Sequence, residues 1–283
     1  MIVHRPIDLS PQGLERSAAM LRASMPRASH FTAEVLRWQY VDNPDGRAVG
    51  LEAFDGDRIV SHCVMQPLVA QLYGKTVRGA MFLNAATLPD YLGRGIYFGL
   101  AAEVIGALPR PDFSFGIAVT NDLSTPGFVR HCGFRVIHPL EVRAGIGAPP
   151  RPREGSAPEF RKLWSNDALR WRLSPPHLRY GAVRQRERTR IVSSIIGGAA
   201  RLELAALDST ELAGVSFASA RWSPVTLAVG LDAAVRWGSA AFVSLPMALR
   251  PSPLNLIYAD LSGEAAGLDA RNMRWRALDF DDF

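Results

Sequence analysis

Residues 88–99 read LPDYLGRGIYFG: one proline, three glycines and one arginine between a strand-like apolar run and a helix-like one. That composition suits an anion. A helix N-terminus presents unpaired backbone N–H groups and a partial positive charge. Gly93 and Gly95 lack the Cβ atoms that would hold a pyrophosphate off those amides. Arg94 adds a cation that can reach a phosphate. The same glycines would also serve a bare strand-to-helix turn, so the flanking elements decide the reading.

Those elements alternate. Ser10 caps a helix with Pro11 at its first position, and Leu14, Ala18, Leu21 and Met25 fall on one face. HFTAEVLRWQY (30–40) predicts a second, short helix. AVGLEAFDGDRIVSHCVM (48–65) predicts two strands joined at Asp55-Gly56, and PLVAQLYGKTVRGAMFLNAATL (67–88) two longer strands turning near Gly74. After the loop, Ile96, Leu100, Val104 and Leu108 line a helix that Pro109 ends. FSFGIAV (113–119) reads as a buried strand, STPGFVRHCGF (124–134) as a short helix capped by Ser124, and RVIHPLEVR (135–143) as one last strand. The order predicts an α/β (α+β) fold, a mixed and mostly antiparallel sheet flanked by helices.

The chain also repeats itself. VLRWQY (35–40) matches ALRWRL (168–173), DRIVSHCV (57–64) matches TRIVSSII (189–196), and GLAAEV (99–104) matches GLDAAV (230–235), at offsets of 133, 132 and 131 residues. Three short matches at one spacing predict two copies of one unit. The Gly-, Pro- and charge-rich stretch 144–158 reads as the linker between residues 1–143 and 159–283. By the third offset Gly93-Arg94-Gly95 falls on Pro224-Val225-Thr226. The second copy is therefore expected to lack the glycine loop. RPSPLNLIYADL (250–261) and MRWRALDFDDF (273–283) read as strands of that copy, and Asp279, Asp281 and Asp282 as a cluster that either attracts a cationic amine or is a solvated tail.

Bulk composition narrows the setting. With 48% hydrophobic and 21% charged residues the chain is globular with a sizeable core. Cys63 and Cys132 form no disulfide framework and no metal-ligand spacing, which fits a reducing, cytoplasmic setting and no bound metal. Neither a signal peptide at the N-terminus nor a membrane span is expected. The net charge is +5, and only Lys75 and Lys162 among the 32 basic residues are lysines. The arginines are scattered and form no basic run interleaved with aromatics, so no nucleic-acid partner is expected.

ATLPDYLGRGIYFGLAAE (86–103) resembles the acyl-CoA motif of the GCN5-related N-acetyltransferase superfamily, and AVTNDLSTPGFVRHCGF (118–134) resembles its next motif. The resemblance covers nearly all of residues 1–143. It implies acetyl-CoA or CoA as cofactor, with its arm between two splayed parallel strands, here Ala80–Leu88 and Phe113–Val119. Cofactor contacts are implied at Ala86, Thr87, Leu88, Leu92, Gly93, Arg94, Gly95, Ile96, Tyr97, Asn121 and Ser124. Two positions depart from the family pattern: Leu92 stands where Arg or Gln is usual, and Tyr97 where Gly or Ala is usual. Tyr97 is placed to crowd the phosphate or to stack on the cofactor.

The chemistry that the resemblance implies is acyl transfer to an amine of a small molecule, sugar or peptide. It needs a base for the ammonium and often an acid for the thiolate. The family's usual tyrosine acid falls on Phe128 or Val129, and neither has a hydroxyl. His62 and His131 are the candidate bases. Asp90 reads as a turn former and Cys132 as a small buried hydrophobe. A degenerate acyl-CoA-binding or scaffold protein and a tandem aminoacyl-tRNA-dependent transferase are the competing readings.

Overall fold

The computed structural model describes every residue except 26–28, 109–111, 154–156, 186–187, 209–210, 213, 221, 239–240, 251, 266 and 281–283. Pro109, Asp281 and Asp282 therefore lie outside the described residues. An edge strand that the sequence did not announce, β1 (Ile2–Pro6), pairs antiparallel with β2 (Val49–Asp55). Between them lie α1 (Pro11–Ser24) and α2 (Ala33–Tyr40). Ser10 caps α1, its Oγ accepting the Gly13 amide at 3.1 Å, and Leu14, Ala18 and Leu21 are buried as their spacing requires. Thr32 caps α2 in the same way.

β3 (Arg58–Leu72) follows the Asp55-Gly56 turn and runs unbroken through Pro67, where the sequence had suggested two strands. Tyr73 and Gly74, both at positive φ, turn the chain into β4 (Lys75–Thr87). Then come α3 (Ile96–Ala107), β5 (Phe115–Thr120), α4 (Thr125–His131), β6 (Arg135–Pro139) and β7 (Glu141–Gly145). The single strand expected over 135–143 is thus two, parted at Leu140. The remainder is β8 (Phe160–Lys162), α5 (Asn166–Arg172), β9 (Gly181–Gln185), β10 (Arg188–Ile195), β11 (Ala200–Asp208), β12 (Ala218–Ser219), β13 (Val225–Asp232), β14 (Phe242–Ser244), β15 (Asn255–Asp260) and β16 (Met273–Arg276).

The chain divides into two units. Unit 1 is Met1–Val69, Val77–Val136 and Ile257–Ala266; unit 2 is Ala70–Thr76, Ile137–Leu256 and Gly267–Phe283. These bounds are discontinuous, unlike the 1–143 and 159–283 expected from the repeat. In unit 1 the strand order is β1-β2-β3-β4-β5-β15-β6. The C-terminal segment expected in the second copy is a strand, but Ile257–Asp260 lies in the first unit, between β5 and β6. Phe115 stacks on Tyr258 there at 5.5 Å. In unit 2, β9, β10, β11 and β13 lie side by side, and α5 is the α-helix among the described residues.

Two of the three repeat matches fall on like elements: 35–40 and 168–173 in or at the end of α2 and α5, 57–64 and 189–196 in β3 and β10. The third does not. Gly99–Val104 is helical in α3, whereas Gly230–Asp232 ends β13 and runs into a turn. No helix among the described residues is long and apolar enough to cross a membrane.

Candidate functional site

β4 and β5 pair in parallel only over Gly79–Met81 and Phe115–Ile117. Beyond Met81 the ladder stops. Asn84 then takes φ 51°, a left-handed conformation that disfavours most residues and that Asn tolerates. Its side chain is tied down on α2. Nδ2 donates to Oε1 of Gln39 at 2.7 Å and to the Tyr40 hydroxyl at 2.8 Å, both buried on α2.

His62, fully buried, meets the same Tyr40 hydroxyl. Its Nδ1 lies 2.9 Å from Oε1 of Glu52 and its Nε2 3.0 Å from the Tyr40 hydroxyl. Ser17 donates to the same Glu52 oxygen at 2.7 Å. With Glu52 accepting from Nδ1–H, Nε2 accepts from Tyr40, and Tyr40 accepts from Asn84. The chain Ser17–Glu52–His62–Tyr40–Asn84 is thus one buried network in which each group has its partner. Enclosed by Glu52 and Tyr40, the His62 ring does not open to the cleft. The other candidate, His131, is exposed at the end of α4, its ring 5.8 Å from Phe98.

The glycine loop follows a 3-10 turn over Pro89–Tyr91. Gly93 and Gly95 have φ of 74° and 72°, so their freedom is used. A Cβ added at either would meet nothing within 4 Å. Gly95 is the N-cap of the 12-residue α3, and no side chain caps that end or places an acid in its first turn. Leu92 is 63% exposed. Arg94 is folded onto its own turn, donating to the Asp90 carbonyl at 2.8 Å and lying 4.8 Å over the Tyr91 ring. Tyr91 in turn donates to Asp55 at 2.8 Å. Asp90 thus shapes the turn.

Tyr97 departs from expectation. Its ring packs edge-on against Phe98 and Phe128, and its hydroxyl is buried in the core beside Cys63 rather than facing the loop. Burial, with Cys63 adding to it, pushes this phenol well above its ordinary pKa. Burial likewise pushes the Cys132 thiol up to about 11, so it is no activated nucleophile. Phe128 is 1% exposed and meets Phe82, Tyr97, Phe98 and Phe134 at 5.0–5.9 Å. It is core. Ile96 is half-buried against the same core.

The remaining positions are partly spent on the fold. The Ala86 carbonyl accepts the Ser61 hydroxyl at 3.1 Å, Thr87 pairs with that hydroxyl at 2.8 Å, and the Leu88 amide donates to Val60. Asn121 closes the turn that leads into α4: its Oδ1 accepts the amides of Leu123 and Ser124 and the Ser124 hydroxyl. Ser124 therefore does not cap the helix with its own side chain. Sequence reading missed Glu52, Tyr40 and Asn84. An asparagine inside the apolar run MFLNAAT was the available signal for the left-handed residue.

No family model matches this chain, and no curated protein matches it. Solved structures do. A conserved protein from Enterococcus faecalis, described as a probable N-acyltransferase, is 11% identical with a TM-score of 0.55, covering 92% of this chain and 73% of its own. A GCN5-related N-acetyltransferase from Anabaena variabilis is 10% identical with the same TM-score and coverage. Eis1 from Mycobacterium abscessus is 13% identical with a TM-score of 0.55, covering 94% of this chain and 75% of its own. At such identities the likeness defines the fold: this chain has the fold of the GCN5-related N-acetyltransferases.

Proposed function

We propose that the protein is an acyl-CoA-dependent N-acyltransferase, with acetyl as the expected acyl group and an amine as acceptor. The observation that carries this is the uncapped N-terminus of α3 preceded by two left-handed glycines whose Cβ directions are empty. The residues fit the cofactor. Amides around Gly93 and Gly95 would hold the pyrophosphate, and the gap that opens between β4 and β5 after Met81 would take the arm. Bound there, the cofactor supplies an activated acyl thioester. Arg94 braces the loop from outside. The Glu52–His62–Tyr40 chain holds Asn84, in its left-handed conformation, just beyond the point where the strands stop pairing. Asn121 sets the start of α4 and leaves its amide nitrogen exposed for a contact.

A binding-only protein is the second reading, favoured by one observation: Phe128 is buried core and Val129 carries no hydroxyl, so the family's usual acid has no counterpart at either position. Mass spectrometry of CoA retained on purification, then calorimetric titration, tests the shared cofactor site. Absence of CoA binding would overturn both readings. Acetyl-CoA turnover against a panel of amines separates them.

A further inference from the structure

Asn84 has one polar atom that the fold does not use. Both hydrogens of its amide go to α2, one to Gln39 and one to the Tyr40 hydroxyl. Among the described residues no group donates to its Oδ1, and that oxygen is not enclosed. The buried network decides which end of the amide is left over. Glu52 accepts from Nδ1–H of His62, so His62 Nε2 accepts from Tyr40 and the Tyr40 oxygen accepts from Asn84 Nδ2. What remains is a carbonyl oxygen. It only accepts, so its ligand brings an N–H or an O–H.

The residue lies where the sheet opens. β4 and β5 pair only as far as Met81 and Ile117. Ala80, Met81 and Phe82 are buried, Leu83 and Asn84 half-buried, and Ala85 exposed. The glycine loop lies past the other end of the gap, beyond Leu88. Strand residues rise about 3.3 Å each, so Asn84 stands roughly 10 Å along β4 from Thr87. A pyrophosphate held at the loop therefore sends the thioester end of its arm towards Asn84. The acidic side chain that the sequence offered to a cationic amine is already spent. Asp279 is buried, not solvated: Oδ1 accepts the Trp164 indole N–H at 3.0 Å and Oδ2 the Arg276 amide at 2.7 Å.

We propose that Asn84 Oδ1 is the hydrogen-bond acceptor that holds the amine substrate, and so selects molecules that bring an N–H to the deep end of the gap. This rests on the acyl-CoA reading and names the residue that meets the second substrate. A neutral carbonyl suits the task. It accepts one N–H from an ammonium or from the free amine, and it adds no negative charge that would keep the ammonium protonated. The cofactor arm also carries amide N–H groups, so the test separates the arm from the amine.

Calorimetry of the full chain tests it without turnover. CoA is titrated first. Benzylamine, glucosamine and glycinamide are then titrated into the CoA complex, as a small-molecule, a sugar and a peptide-like amine. At least one is expected to bind the wild-type complex, and its N-trimethyl counterpart, which keeps the charge and has no N–H, to bind more weakly. Asn84→Gly keeps the left-handed backbone without strain. It is expected to bind CoA as wild type does and the amine at least about tenfold more weakly, the loss of one hydrogen bond from a charged donor. Equal amine affinity in the variant would overturn the proposal. So would an N-trimethyl counterpart that binds as well as the amine, or no amine binding to a complex that holds CoA. Weaker CoA binding by Asn84→Gly would give the oxygen to the arm or make the residue structural, and overturn it too. A wild type that binds no CoA removes the cofactor reading, and this one with it.

Discussion

Gly95 sits where conformation and access make the same demand. Any L-residue there takes a strained left-handed backbone, at about 1–2 kcal/mol, and its side chain enters the empty space beside α3. Gly95→Val is therefore expected to fold with slightly lower Tm and to bind CoA at least about tenfold more weakly. Unchanged affinity by calorimetry in the folded variant would remove the loop from the site. His62 is a different case, because its ring is enclosed by Glu52 and Tyr40. His62→Ala leaves the buried Glu52 carboxylate with Ser17 as its remaining donor, so stability should be lost in urea unfolding, by up to about 3–5 kcal/mol. A variant of wild-type stability that had lost turnover alone would instead make His62 catalytic.

Among the elements, β15 is the one whose place was least expected. The turn that ends it is tied by Asp260, whose carboxylate accepts from the amides of Ser262, Gly263 and Ala265 and from the Ser262 hydroxyl. Burial alone would push this carboxyl up. The Ala265 amide, the Ser262 hydroxyl and the other amides outweigh it and hold the pKa below the ordinary 3.8. A lowered folded pKa contributes stability that is fully present above 3.8 and is lost as the pH falls through the lowered value. Asp260→Asn should therefore melt below wild type at pH 7, and the two curves should converge as the pH drops under 3.8. A constant gap at all pH values would show that the carboxylate charge is not what holds the turn.

At the scale of the whole molecule, unit 1 is closed by residues from the far end of the chain. A fragment of residues 1–143 keeps the glycine loop but lacks Ile257–Asp260, the strand between β5 and β6. It exposes two strand edges and the face of Phe115, so it is expected to aggregate or self-associate. The full chain should bind one CoA, because Val225 and Thr226 lie in β13 with Pro224 just before it, and no glycine loop forms there. Sedimentation of the fragment and calorimetric stoichiometry of the full chain check the two statements. A soluble monomeric fragment with full CoA affinity, or two CoA per chain, would contradict them.

The sequence by itself determined what depends on neighbours along the chain. Ser10 and Thr32 had to cap helices, Asp55-Gly56 and Gly74 had to turn strands, and Gly93 and Gly95 had to open a helix N-terminus, because caps and turns need particular residue types within a few positions. Only the tertiary structure decided the rest. His62 became part of a buried network because Glu52 and Tyr40, 10 and 22 residues away, fold against it. Tyr97 turned inward because the aromatic core around Phe128 offered it contact. Ile257–Asp260 joined the first unit because strand pairing is chosen by complementary edges and buried faces, which no local periodicity records.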